Sequence, residues 1–297
     1  MADSTMRRIK AMATQGVQQC NINPSRLARH LVIALPSLQE QQAVSKLTLC
    51  LDAVVLSARQ LLDAKRQLKR ALLQQLLTGT GRANVRVVAL ADVVRLRSGN
   101  TPSKARPDYW DGDFPWISAK DLKRPRIGES IDRITSLAVK ESATVVPPGT
   151  VVILVRGMTL LKDVPVAVTT RELAINQDIK GLEPSAEIDS GFLLCTLAVK
   201  RSQLMGFVNR AGHGTGKLDT DRLLSLPLHL PPLAEQRKVA AAVEFVDHEI
   251  TLLDRQLAAY RQLKRGLMQK LLTGEIAIPE AAKTRGRAAA GGVRGSA

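Results

Sequence analysis

Residues 35–79 read LPSLQEQQAVSKLTLCLDAVVLSARQLLDAKRQLKRALLQQLLTG, and residues 230–274 read LPPLAEQRKVAAAVEFVDHEITLLDRQLAAYRQLKRGLMQKLLTG. Laid over each other at an offset of 195 residues without a gap, they agree at about 20 of 45 positions. Leu35, Pro36, Leu38, Glu40 and Gln41 recur as Leu230, Pro231, Leu233, Glu235 and Gln236. The RQLKR of Arg66–Arg70 and the LLTG of Leu76–Gly79 recur at Arg261–Arg265 and Leu271–Gly274. Shifting by one residue extends a fainter match upstream, setting Gly16, Arg26 and Leu27 against Gly212, Arg222 and Leu223. Solenoid repeats recur every 20 to 50 residues or so, so a separation this long implies a whole domain inserted between two equivalent connectors.

Each copy predicts one long helix. In the second, Val239, Val243, Val246, Ile250, Leu253, Leu257, Tyr260, Leu267 and Leu271 follow alternating four-three spacing, interrupted by Lys264. The equivalent seam of the first is weaker: Val44, Thr48, Leu51, Val55, Ala58, Leu62, Lys65, Lys69, Leu72 and Leu76. A second stripe, Leu47, Val54, Leu61 and Leu68, is expected to widen its apolar face. Pro36 and Pro231 sit just ahead of the helices, and Gly79 and Gly274 stand at the expected C-caps. At 1.5 Å per residue each helix runs roughly 60 Å, so its stripe must be covered by the other copy or by another chain.

Between the repeats the pattern changes. Val85–Leu96, Thr144–Val155 and Val164–Thr170 are rich in β-branched residues and punctuated by Pro147, Pro148, Gly149 and Gly157, which reads as strands. Ser190–Lys200 reads as a short helix. The expected fold class is therefore α/β (α+β): a mixed α/β domain flanked by two long helices that pack as an antiparallel coiled coil. The expected divisions are 1–35, a helical spacer at 36–83, the α/β domain at 84–230, a second spacer at 231–279 and a basic, disordered tail at 280–297.

The formal charge of +16 and a pI near 10.3 favour a polyanionic partner such as a phosphate backbone. Residues 84–229 net only +4, whereas 1–35 and 280–297 together net +7, so the ends hold much of the excess. The three cysteines, Cys20, Cys50 and Cys195, have no metal or redox spacing and read as small buried apolar residues of a reducing compartment. No apolar run reaches the roughly 18 to 20 residues that span a bilayer, and Met1–Lys10 precede no signal core, which places the chain in the cytoplasm.

The run Ser98-Gly99-Asn100-Thr101-Pro102-Ser103, then Asp108-Tyr109-Trp110 and Gly112–Ile117 (GDFPWI), resembles the opening of the target recognition domains of type I restriction-modification specificity subunits. Asn176-Gln177-Asp178 and Gly212–Lys217, followed by Leu230–Gln236, resemble later segments of the same family, so that the likeness covers about residues 16–279. The resemblance implies a sequence-specific, non-catalytic double-stranded DNA-binding subunit. It would direct DNA methyltransferase (modification) and restriction subunits to a bipartite site, with S-adenosylmethionine, ATP and magnesium on those partners and no cofactor on this chain. Family members generally carry two recognition domains. Here residues 1–35 resemble only the end of a first one, so one half-site is expected, with a second specificity chain or a second copy of this chain supplying the other.

Candidate DNA contacts follow from the residue types. Ser98, Asn100, Thr101, Ser103, Lys104 and Arg106 lie in a Gly/Pro-rich stretch with donors for phosphates and base edges, readable equally as a solvated turn. Lys120, Lys123, Arg124 and Arg126 surround Pro125 as a second basic cluster or an ordinary exposed loop. In RAGHGTGK (Arg210–Lys217) a flexible glycine loop would carry His213, Thr215 and Lys217, and Arg156 and Lys162 flank a further loop. A P-loop is excluded there, because Ala211 holds the first glycine position and Leu218 the last hydroxyl position. Tyr109, Trp110, Phe114 and Trp116 read as a compact turn packing its own rings, with base stacking on single strands as the alternative. Enzyme readings fare poorly: Asn23-Pro24-Ser25 lacks the aromatic residue of a methylase motif, no zinc deaminase set occurs, and His30, His229 and His248 have no ligating spacing. A helical interaction scaffold without DNA binding is the remaining competing class.

Overall fold

A computed structural model describes residues 7, 9–15, 20–30, 36–77, 84–211, 214–273 and 275–276. The tail at 280–297, Gly79 and Gly274 lie outside the described residues, as does His213. The chain forms two compact units, one of Met1–Lys65 with Glu249–Ala297, the other of Arg66–His248.

In chain order the first elements are β1 (Thr14–Gln15), β2 (Cys20–Asn21), α1 (Pro24–His30) and α2 (Leu38–Leu77). Then come β3 (Arg86–Ala89), α3 (Leu90–Val93), β4 (Val94–Ser98), β5 (Trp110–Ile117), β6 (Arg126–Ile127), β7 (Asp132–Ile134) and α4 (Ser136–Glu141). These are followed by β8 (Thr144–Val146), β9 (Val151–Leu154), β10 (Arg156–Gly157), β11 (Val166–Thr169), β12 (Leu173–Ile175) and β13 (Ile179–Pro184). The last are α5 (Ser190–Val199), α6 (Arg201–Met205), β14 (Val208–Ala211), β15 (Thr215–Leu218), α7 (Thr220–Leu224), β16 (Pro227–Leu230) and α8 (Leu233–Thr273).

The two long helices, α2 and α8, are the two sequence repeats, and their starts show why the repeated motif has its form. At α2 the Ser37 hydroxyl accepts from Glu40 N–H at 3.4 Å while Glu40 Oε2 accepts from Ser37 N–H at 3.1 Å, a reciprocal cap that satisfies two orphan amides. Proline at 232 removes that option from α8, yet the next residue acts alike in both copies. Gln41 Nε2 donates to the Pro36 carbonyl at 2.8 Å, and Gln236 Nε2 to the Pro231 carbonyl at 2.9 Å. Gln236 also donates to the Glu187 carbonyl and accepts from Asp189 N–H, each at 2.9 Å, and so joins α8 to the start of α5.

Every predicted seam position from Val44 to Leu72 is buried or half-buried, as are those of α8 except Tyr260, which lies at the exposed margin. In the unit built on Met1–Lys65 and Glu249–Ala297 the helices run antiparallel: Thr48 Oγ1 donates to Met268 Sδ at 3.0 Å, Asp52 pairs with Lys264, and Lys65 Nζ lies 2.8 Å from Glu249. Leu62 and Leu257 are buried there, each contributing roughly 1.5–3 kcal/mol of hydrophobic stabilisation. In the other unit Lys69 pairs with Asp247, and Leu73, Val239 and Val243 join the α/β core. The seam lysines are thus accommodated by acids on the opposite helix while their stems pack along the seam. The second stripe differs from expectation: Leu47 is half-buried, but Val54, Leu61 and Leu68 remain 44%, 48% and 46% exposed.

The α/β region carries a five-stranded sheet in the order β4-β13-β9-β11-β6 and a four-stranded sheet in the order β7-β5-β12-β8. Within them β11 pairs parallel with β6, and β12 with β5; the other pairings are antiparallel. Central β9 is the continuous apolar run VVIL, buried at all four residues, as a strand covered on both faces must be. Asp189 caps α5 by accepting from Phe192 N–H at 3.0 Å, and α5 then buries Phe192, Leu193 and Leu197 in the same core. The predicted strands resolve into β3 and β4, β8 and β9, and β11; β5 and β12–β15 carried no pattern that marked them. β3 and β16 pair antiparallel with Ala89 opposite Pro227 and Arg86 opposite Leu230, so the two ends of the inserted region are stitched together.

A smaller core gathers Tyr109, Trp116, Ile134, Ala138 and Ala174, with Trp110 and Phe114 packed against it. Trp110 and Trp116 meet edge to face, 5.3 Å between centroids at 85°. The rings therefore pack together as expected, but Trp110, Phe114 and Trp116 do so from strand β5, and only Tyr109 from the 3-10 turn ahead of it. Cys195 is buried, and burial pushes its thiol up to about 11; Cys50, contrary to expectation, is exposed.

Candidate nucleic-acid interface

The stretch from Ser98 to Arg106 is firmly held. Gly99 donates to Ile179 O and Asn100 to Ile175 O, bringing this backbone so close to the end of β12 that a Cβ at 99 would stand 2.1 Å from the Asn176 carbonyl. The Asn100 amide group donates to Ser142 O, and its oxygen accepts from Thr144 N–H at 2.9 Å, which makes Asn100 a structural bracket. Trp116 Nε1 donates to Asn100 O at 3.2 Å and Trp110 Nε1 to Ser103 O at 3.1 Å. The Thr101 hydroxyl donates to Gln177 Oε1, and Lys180 Nζ reaches Ser98 Oγ at 2.5 Å.

Lys104 and Ser103 are exposed at the tip. Arg106 instead folds back: it meets Asp108 at 2.5 Å and Glu141 at 3.6 Å, and stacks over the Tyr109 ring at 4.1 Å. Its hydrogen bond holds Asp108 below the ordinary carboxylate range, and the Glu141 carboxylate accepting from the Tyr109 hydroxyl pushes that phenol up.

In the second group Thr215 and Lys217 stand on strand β15 rather than in a glycine loop. Residues on both sides of 212–213 form the antiparallel strands β14 and β15, and β10 adds to β15 on the other side. The register places Arg156 directly opposite Lys217, and Lys217 opposite Asn209. Arg156, Lys217 and nearby Lys162 are exposed, and Thr215 is half-buried. Among the described residues no acid forms an ion pair with Arg156 or Lys217.

These two groups converge through one residue. Val155 N–H donates to Asp178 O at 2.8 Å, next to the Gln177 that holds Thr101, and Val155 O accepts from Leu218 N–H at 2.9 Å, next to Lys217. Ser98, Thr101, Gln177, Lys180, Arg156 and Lys217 therefore share a continuous backbone-braced region. Gln177 and Lys180 join the candidates through their hydrogen bonds to Thr101 and Ser98; residue type alone did not mark them, although Gln177 lies in a segment that the family resemblance singles out.

The cluster 120–126 lies elsewhere. Arg126 is on β6, at the opposite edge of the five-stranded sheet from β4 and Ser98. Arg126 pairs with Glu244 at 2.6 Å and Lys120 with Asp132 at 2.5 Å, while Lys123 and Arg124 are exposed. Among the described residues no helix is long and apolar enough to cross a membrane.

Known proteins resemble this chain at both levels. The specificity subunit of the type I restriction enzyme EcoR124I/EcoR124II from Escherichia coli is 28% identical over 187 residues, covering 59% of this chain and 46% of that protein. The MjaIX specificity subunit of Methanocaldococcus jannaschii is 28% identical over 166 residues, covering 54% of this chain and 37% of its own length. The matched stretch thus spans less than half of either relative. Among solved structures, the HsdS subunit from Thermoanaerobacter tengcongensis superposes with a TM-score of 0.57 at 20% identity, covering 92% of this chain and 68% of that one. The type I restriction-modification S subunit from M. genitalium gives 0.56 at 18% identity, covering 91% and 70%. Both share the fold. The family model for the type I restriction modification DNA specificity domain matches residues 83–259, more than half of the sequence, and the chain belongs to that family.

Proposed function

We propose that this chain binds duplex DNA and reads one half of a bipartite site for a type I restriction-modification enzyme. It would do so without catalysis of its own. The observation that carries the reading is Arg156 facing Lys217 across β10 and β15. Like charges directly opposite each other in a sheet destabilise it, and an anion lying over the pair offsets that cost. A phosphate backbone is such an anion, and the polar groups of Ser98, Thr101, Gln177 and Lys104 lie along the same braced region for base edges and further phosphates. Thr215 belongs to the same hairpin and Lys162 flanks it, His213 is proposed as a contact on its residue type alone, and Lys120, Lys123, Arg124 and Arg126 would serve as an outlying phosphate-positioning group.

The partners in this reading are DNA methyltransferase (modification) subunits and a restriction subunit, which would hold S-adenosylmethionine, ATP and magnesium. The exposed stripe of Val54, Leu61 and Leu68 on α2 supports docking of such chains. A second specificity chain, or a second copy of this one, would read the other half-site. Sequencing methylated positions in cells with and without the gene tests the proposal: one bipartite motif disappears with the gene. An unchanged methylome, together with no salt-sensitive duplex binding by the purified chain, would leave a helical scaffold instead.

A further inference from the structure

Met158 is 73% exposed, the most exposed large hydrophobic side chain among the described residues. It opens the short 3-10 turn Met158–Leu161 that follows β10. That turn is well anchored: Leu160 is fully buried, and it sits so close to β15 that a Cβ at Gly216 would stand 2.7 Å from the Leu160 Cβ. Exposed cations flank Met158 on both sides, Arg156 before it and Lys162 after it, with Lys217 opposite Arg156. A rigid turn thus presents an unbranched apolar side chain to solvent from the middle of a basic patch.

Contacts from such cations to phosphates fix register but carry no sequence information. Sequence is read where side chains touch base edges, and the apolar group that a base offers in the major groove is the C5 methyl of thymine. We propose that Met158 is a specificity-determining residue that contacts a thymine methyl group while Arg156, Lys162 and Lys217 hold the flanking phosphates. The assignment rests on the DNA-binding function proposed above.

The test uses the full chain and duplexes carrying the motif that disappears from the methylome when the gene is removed. Thymines are replaced singly by deoxyuridine, which lacks only the C5 methyl. One replacement should weaken binding by the wild-type chain about fourfold, the value of one buried methyl group. Met158→Ala should bind the thymine and deoxyuridine duplexes alike, with unchanged thermal stability, while Met158→Leu should keep the discrimination. A motif without thymine, a wild-type chain indifferent to every replacement, or a Met158→Ala variant that still discriminates overturns the assignment. So does a uniform loss across all duplexes, which would mark Met158 as a wedge between base steps. A wild-type chain with no motif-dependent binding removes both this inference and the function beneath it, whereas the other failures leave that function standing.

Discussion

Lys69 on the first long helix and Asp247 on the second meet at 2.5 Å, and the positions equivalent to them in the sequence repeat, Lys264 and Asp52, pair in the same way. Aspartate at 52 recurs at 247 and lysine at 69 recurs at 264, so one repeated sequence supplies both ends of two ion pairs. A lysine in a coiled-coil seam costs packing, but here each has an acid opposite it that fixes the antiparallel register.

The two pairs should differ in strength. Lys69 and Asp247 are 29% and 34% exposed, whereas Lys264 and Asp52 are 29% and 51% exposed, so solvent screens the second pair more. Lys69→Ala should cost about 1 kcal/mol and Lys264→Ala less, with both effects shrinking in high salt. The charge-swapped pair Lys69→Glu with Asp247→Lys should recover most of what Lys69→Glu alone loses. Urea unfolding of the four variants checks this; equal effects that are insensitive to salt would mean that packing by the lysine stems, not charge, holds the register.

Arg156→Ala and Lys217→Ala should separate binding from stability. Each should weaken duplex binding and lower the slope of log affinity against log salt by about 0.9 for each phosphate that is no longer neutralised. Because each also removes one of two facing like charges, thermal stability should hold or rise. Lys120→Ala and Arg126→Ala, whose cations are engaged with Asp132 and Glu244, should change the salt slope less. Titrations of random duplexes at several salt concentrations, with a melting curve for each variant, provide both readouts.

Gly99→Ala should damage the interface without removing any group that faces DNA. The added methyl would stand 2.1 Å from a backbone carbonyl that cannot yield cheaply, and relief would shift Asn100 and Thr101 together. Overpacking of this kind costs typically about 1–3 kcal/mol. Expected outcomes are a lower melting temperature and new protease cleavage between residues 98 and 106, with Ser103→Ala as a neutral control in the same loop. A normal melting temperature would mean that this close approach does not constrain the loop.

These features were unequally legible in the sequence. The helical seam was readable because a four-three period sustained over ten positions in each copy survives polar interruptions such as Lys65 and Lys69 in the first and Lys264 in the second. What those lysines meet was not readable, since a pairing such as Lys65 with Glu249 depends on the register between helices. The hairpin of β14 and β15 was hidden because its glycines look like flexibility, although Gly216 is there to admit Leu160. Gln177 stands in a family-like segment yet gave no sign of a site role, because its hydrogen bond with Thr101 arises only after β12 is laid beside β5. Arg106 is a further case: its residue type invited a DNA contact, and its engagement by a neighbouring carboxylate and ring could not be read from the sequence.

On α2, Val54, Leu61 and Leu68 recur every seven residues and remain exposed although the seam beside them is covered. Three apolar side chains in register on one helix face form a strip suited to another helix, and an apolar strip left in water marks an interaction surface. If modification subunits dock there, Leu61→Glu and Leu68→Glu together should abolish co-purification with those subunits and erase the methylated motif in cells. The same variant should bind duplex DNA with wild-type affinity and salt dependence, because the substitutions lie outside the interface of Ser98, Gln177 and Arg156. Its melting temperature should not fall, since each leucine is already about half exposed. A complex that still assembles and methylates would place the docking surface elsewhere. A change only in the mass of the purified chain alone, from dimer to monomer, would instead assign the strip to a second copy.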